Sequence, residues 1–167
     1  FKLTGSGTGT VGEVLTYTWE QNNDATIIGA VPSLPSPTKT DGPNFRSVVP
    51  SVDPVRYMPA FSDVLNGNLI NPWETVSTVP RSLAFTLTVR DNVLGGGQTN
   101  TAQTTVNVVD ISGAFEFTNP SAPTSWPLGS TQTITWNVAG TTANGMNTAN
   151  VNILLTTDNG ATFTTLV

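Results

Sequence analysis

Leu15-Thr16-Tyr17-Thr18-Trp19-Glu20-Gln21 places large apolar residues (Leu15, Tyr17, Trp19) at every second position, with Thr16, Thr18 and Glu20 between them. Successive side chains of a strand point to opposite faces, so this period of two reads as a β-strand with one face buried. An indole needs a broad apolar surface to be buried, which predicts a strand in the middle of a sheet.

Working outward, Leu83, Phe85, Leu87 and Val89 alternate with Ala84, Thr86, Thr88 and Arg90, the clearest strand pattern in the chain. Asp91-Asn92 and Gly95-Gly96-Gly97 read as a turn, and residues 101–109 as the returning strand, with Ala102, Thr104, Val106 and Val108 on one face. Toward the N-terminus, Phe1 to Ser6 reads as a first strand and Gly5 to Gly12 as a Gly/Thr turn. From about 31 to 72, Pro32, Pro35, Pro37, Pro43, Pro50, Pro54 and Pro59 each remove a ladder donor. That stretch also carries Phe45, Tyr57, Phe61, Leu65 and Ile70, with Trp73 just after it. It is expected to be an ordered, proline-stiffened connection that covers one face or edge of the fold.

After a short junction at Asp110-Ile111-Ser112-Gly113 a second pattern begins. Phe115 to Pro120, Gly129 to Val138 and Val151 to Leu155 read as strands, with Trp136 expected at the core of this second module as the counterpart of Trp19. Thr156-x-Asp158-x-Gly160-x-Thr162-Phe163 matches an Asp-box hairpin. Asp158 would accept turn N–H groups, Gly160 would take positive φ, and Phe163 would pack beneath. A sandwich of this kind needs about seven strands, and residues 111–167 supply about four. The expected architecture is all-β: tandem β-sandwich modules over 1–110 and 111–167, the second truncated, within an internal segment of a larger protein.

Composition narrows the function. The net charge is −5, with 6 basic residues, and none of them lies beyond Arg90. A phosphate backbone or an anionic bilayer would need a Lys/Arg patch, so nucleic acid is not an expected partner. No run of about 18 apolar residues is present, so membrane insertion is not expected either. Zero His and zero Cys remove the usual ligands of catalytic zinc, the usual base of a Ser or Cys triad, and disulfides. No catalytic residue is assigned. Glu20 and Arg90 are expected to meet across neighbouring strands as a structural clamp. Calcium stays open as a structural ion, with Glu20, Asp24, Asp91, Asn92 and Asp110 as its oxygen donors. Tyr57 and Trp73 are the aromatic candidates for sugar or peptide contact, against the alternative that they pack on the sandwich.

The ordered series Leu15–Gln21, Gly42-Pro43-Asn44-Phe45-Arg46-Ser47, Val55-Arg56-Tyr57-Met58-Pro59, Trp73-Glu74-Thr75-Val76 and Thr88-Val89-Arg90-Asp91-Asn92 continues with Gly113-Ala114-Phe115, Thr135–Thr141 and Val151-Asn152-Ile153. This series resembles the region downstream of the catalytic domain in secreted reprolysin-like zinc metallopeptidases of Bacteroidota. The resemblance covers nearly the whole chain. It implies immunoglobulin-like modules of the PKD or fibronectin type and export to the medium or cell surface, often by type IX secretion. It also implies zinc held only by a separate His-Glu-x-x-His domain, none of whose ligands falls here. The expected role is a non-catalytic accessory region that positions the catalytic domain or contacts a protein or glycan substrate. The other reading is a surface adhesin or carbohydrate-binding module with no peptidase attached. One departure from the pattern lies at Gly7–Glu13, where relatives often carry an Asp-rich turn and this chain has only Glu13.

Overall fold

The computed structural model describes residues 1–27, 29, 33–111 and 113–166. Val31 and Pro32, at the start of the proline-rich stretch, and Ser112, in the expected junction, lie outside the described residues. The chain is all-β with small antiparallel sheets. It divides into two compact units, Phe1–Val108 with Thr156–Thr162, and Val109–Leu155 with Phe163–Val167.

In the first unit, β1 (Lys2–Thr4) pairs with β3 (Val55–Tyr57). β2 (Thr16–Gln21), β4 (Arg81–Arg90) and β5 (Thr99–Val108) form a three-stranded sheet in the order β2-β4-β5. The register sets Tyr17 opposite Val89, Trp19 opposite Leu87 and Gln21 opposite Phe85. The apolar set of β2 therefore shares one face with the apolar set of β4. Against that face lie Leu3 of β1 and, from the proline-rich stretch, Phe45 and Met58. Leu83, Phe85, Leu87 and Met58 are 1%, 0%, 4% and 0% exposed. Each such side chain contributes about 1.5–3 kcal/mol relative to an exposed one. Phe45 and Phe85 lie 6.3 Å apart with Phe1 edge-on to both, at 5.7 and 5.9 Å, a geometry suited to the ring quadrupole.

The proline-rich stretch is built into this unit. It carries β3, a one-turn helix α1 (Phe61–Leu65) and isolated bridges from Phe45 to Glu74 and from Ser51 to Tyr17. Polar side chains fasten it. Gln21 Oε1 accepts the backbone N–H groups of Asn44 (2.8 Å) and Phe45 (3.1 Å). Arg81 donates to the carbonyls of Lys39 (2.8 Å) and Gly42 (2.6 Å).

The expected Glu20–Arg90 clamp does not form. Antiparallel pairing puts Glu20 opposite Thr86 and Arg90 opposite Thr16, four residues apart along the ladder. Glu20 instead accepts from Ser47 Oγ at 2.6 Å, and Arg90 donates to Thr18 Oγ1 at 3.1 Å.

The second unit holds β6 (Glu116–Asn119) paired with β7 (Thr135–Asn137), and β8 (Leu154–Leu155) paired with β9 (Thr164–Thr165). The strand expected over 129–138 is reduced to three residues. Asn119 pairs with Thr135, and the next residue, Pro120, has no N–H to extend the ladder. Trp136 is half-buried, and Ala139 is the buried hydrophobic residue of this unit among the described residues. The expectation that Trp136 anchors a core is thereby corrected. Two two-stranded sheets supply too little surface to enclose an indole, which instead lines an open depression of about 300 Å³ with Phe115, Val138 and Ile153.

Candidate functional site

Three places in the structure bear on function. The first is the segment Asn71–Glu74. Asn71 Oδ1 accepts the backbone N–H groups of Trp73 and Glu74, both at 2.9 Å, and the carbonyl of Trp73 accepts from Arg46 N–H at 3.1 Å. The Trp73 backbone is thus fixed beside the Phe45–Glu74 bridge while the residue is 59% exposed. The Arg46 guanidinium stands 4.6 Å from the ring centroid, a cation–π arrangement. Tyr57 is placed differently. It is half-buried and stacks on Phe61 with centroids 4.6 Å apart, so its ring is largely committed to packing.

Beneath Trp73 sits a charge pair that the sequence reading did not find. Arg56 Nη2 and Glu74 Oε1 are 2.6 Å apart, with 9% and 8% of their side chains exposed. Arg56 also donates to the carbonyls of Trp19 and of Arg46 (2.6 Å), and the second Glu74 oxygen accepts Ala60 N–H at 2.7 Å. A buried pair survives only when its remaining donors and acceptors are met, and these three further bonds meet several of them. The usable signal lay in Val55-Arg56-Tyr57-Met58, where an inward-pointing Arg alternates with half-buried Val55 and Tyr57.

The third place is a groove of about 800 Å³ between the Ser6–Thr10 turn and the β4–β5 hairpin, lined by Glu13, Leu15, Val89, Asp91 and Asn100 among others. Its two carboxylates are engaged by their own turns. Glu13 accepts Thr10 N–H at 2.6 Å, and Asp91 accepts Val93 and Gln98 N–H at 3.1 and 2.9 Å. What faces the groove is mainly hydroxyl, amide and backbone.

The five calcium candidates are spread out. Glu20 lies at the C-terminal end of β2 and Asp24 follows it, while Asp91 and Asn92 follow the C-terminal end of β4, which antiparallel pairing places at the other end of the sheet. Asn92, at φ +57°, donates to the carbonyl of Val14 at 2.9 Å. Asp110 is exposed beyond β5. Among the described residues no three Asp, Glu, His or Cys side chains gather where they could hold a metal. With neither His nor Cys in the chain, its residues do not fit a catalytic zinc either.

At the Asp-box hairpin, Asp158 Oδ1 accepts Thr162 N–H (2.9 Å) and Thr156 Oγ1–H (2.8 Å), while Oδ2 accepts Thr162 Oγ1–H (2.6 Å). Gly160 takes φ +87°, where a side chain would be strained, and its N–H donates to Thr156 Oγ1 at 2.8 Å. The Thr162 hydroxyl, followed by its N–H and the Thr156 hydroxyl, holds the Asp158 carboxyl down to about 2. These bonds all run within the hairpin itself.

Among the described residues no helix is long and apolar enough to cross a membrane. No protein-family model, no curated protein and no solved structure matches the chain.

Proposed function

We propose that the chain forms immunoglobulin-like modules serving as a non-catalytic accessory region of a secreted or cell-surface zinc metallopeptidase, contacting a protein or glycan substrate through Trp73. The carrying observation is Trp73, a residue 59% exposed on a backbone fixed by Asn71 and Arg46. A rigid exposed aromatic supplies stacking area to a sugar ring or peptide side chain at low entropic cost. The sheet order β2-β4-β5, with Trp19 buried on β2, is compatible with an immunoglobulin-like sheet carrying its buried Trp. The ordered motif series is the basis for the peptidase context. In this reading zinc belongs to the catalytic domain, and the present chain supplies position and grip.

Glycan and peptide arrays probed with the purified chain test the contact. Binding should appear on one class of ligand and fall at least about tenfold in Trp73→Ala. Binding that is unchanged in that variant would remove Trp73 from the reading. The peptidase context is tested by the coding sequence on either side. A His-Glu-x-x-His segment upstream supports it, and β-sandwich repeats alone favour the adhesin reading. The hydroxyl- and amide-lined groove near Glu13 supports that second reading, since such groups suit a carbohydrate. A glycan signal that survives Trp73→Ala but is lost in Asn100→Ala would point there.

A further inference from the structure

Among the described residues, the three-stranded sheet has one partly covered edge and one open edge. Asn22 N–H donates to Ala84 O at 3.0 Å, and Asp91 N–H to Gln98 O at 3.2 Å. Since hydrogen-bonded pairs alternate along an antiparallel ladder, these two bonds fix the direction of every backbone group in the sheet. On the outer side of β2, Tyr17 exchanges both backbone bonds with Ser51 at 2.7 and 3.0 Å, and the carbonyl of Trp19 accepts from Arg56. On β5, Thr99, Thr101, Gln103, Thr105 and Asn107 direct their N–H and C=O groups away from β4. All five are exposed, and among the described residues no strand pairs there.

Edge strands are usually blunted by charge, proline, a bulge or shortness. β5 has none of these. It runs ten residues, Thr-Asn-Thr-Ala-Gln-Thr-Thr-Val-Asn-Val, with no charged residue, no Pro and an unbroken register against β4. Asn100 Oδ1 takes the Thr101 N–H at 2.8 Å, while Gln103, Thr105 and Asn107 remain available.

We propose that the open edge of β5 docks β5 of a second copy of this chain, the two strands running antiparallel about a two-fold axis. Charge selects the occupant. Each chain carries −5 overall, but β5 carries nothing for a charged strand to pair with, and it meets its own image without like-charge contact. With the axis at Gln103, the outward face sets Gln103 opposite Gln103, Thr101 opposite Thr105 and Thr99 opposite Asn107. Each of these is a hydrogen-bonding pair. The contact is isologous, as a closed dimer requires, and it joins the two sheets into one of six strands.

Sedimentation equilibrium on the 167-residue chain tests this from micromolar to about 1 mM. The wild type should show a monomer–dimer equilibrium. Gln103→Pro deletes an outward N–H and leaves the β4–β5 bonds in place. Gln103→Lys sets two ammonium groups face to face. Each should weaken the dimer at least about tenfold, with the melting temperature of the monomer little changed. An equimolar mixture of Gln103→Lys and Gln103→Glu should recover it. Amide exchange at Gln103, Thr105 and Asn107 should slow as concentration rises. A wild type that stays monomeric throughout overturns the proposal, even if it binds a synthetic strand peptide. Dimers of undiminished affinity in both variants overturn it as well.

Discussion

Arg56 Nη2 lies 2.6 Å from Glu74 Oε1 in the interior of the first unit, and the pair bonds to the backbone of Trp19, Arg46 and Ala60. One side-chain pair thus joins β2, β3, Arg46 and Ala60 of the proline-rich stretch, and Glu74 just beyond it. Removing one partner leaves a buried charge unmatched, at a cost of about 3–5 kcal/mol. Arg56→Ala and Glu74→Ala should each lower the urea-unfolding free energy by that amount. The double variant should fall far short of their sum, since it leaves no orphaned charge. Additive losses would show that the two act separately.

Protonation offers a second handle. The folded Asp158 carboxyl, at about 2, lies below its unfolded value of about 3.9. The folded state therefore binds fewer protons between those values. The contribution of Asp158 to stability is complete above about pH 4 and fades as pH falls through 2. Carboxyl NMR should give a midpoint near 2, and Thr162→Val, which deletes the largest cause, should raise it. A midpoint at the ordinary carboxylate value would mean that the Asp-box bonds do not persist in solution.

Burial separates aromatic residues of the two units. Phe85 is 0% exposed within the main apolar cluster, so Phe85→Ala should cost about 3–5 kcal/mol. Trp136 is half-buried over an open depression, so Trp136→Ala should cost well under half as much. Thermal unfolding of both variants checks this. Equal losses would place a true core around Trp136.

Dispersed donors predict indifference to chelation. Because Glu20 and Asp24 lie at one end of the sheet and Asp91 and Asn92 at the other, millimolar EDTA should leave the melting temperature where millimolar CaCl₂ leaves it. A rise of several degrees with calcium would show ligands assembling that the present arrangement keeps apart.

Where one face of a strand is buried, the sequence was a good guide. β2, β4 and β5 could be read from Trp19, Phe85 and Val106 because alternation is imposed by having an inside and an outside. The neighbour relation of β2 and β4 followed, but not its ends, so Glu20 and Arg90 were paired without regard to strand direction. Arg56 and Glu74 were hidden for another reason. Charges beside prolines ordinarily face water, and only the fold reveals that β3 turns Arg56 inward. At Trp73 the residue was visible, but its exposure and the Arg46 cap depend on contacts that no local pattern encodes.

Ser51 bridges the outer side of β2 and is flanked by Pro50 and Pro54, neither of which has an N–H to offer. Had that side been free as well, β5 of one molecule could have joined β2 of the next, and the next, into a filament. The Tyr17–Ser51 bridge and the Arg56 bond to the Trp19 carbonyl stand in the way of that addition on the β2 side. The prolines that obscure the sequence pattern thus offer no N–H to a strand arriving from outside, a form of protection that suits a threonine-rich, weakly charged β protein.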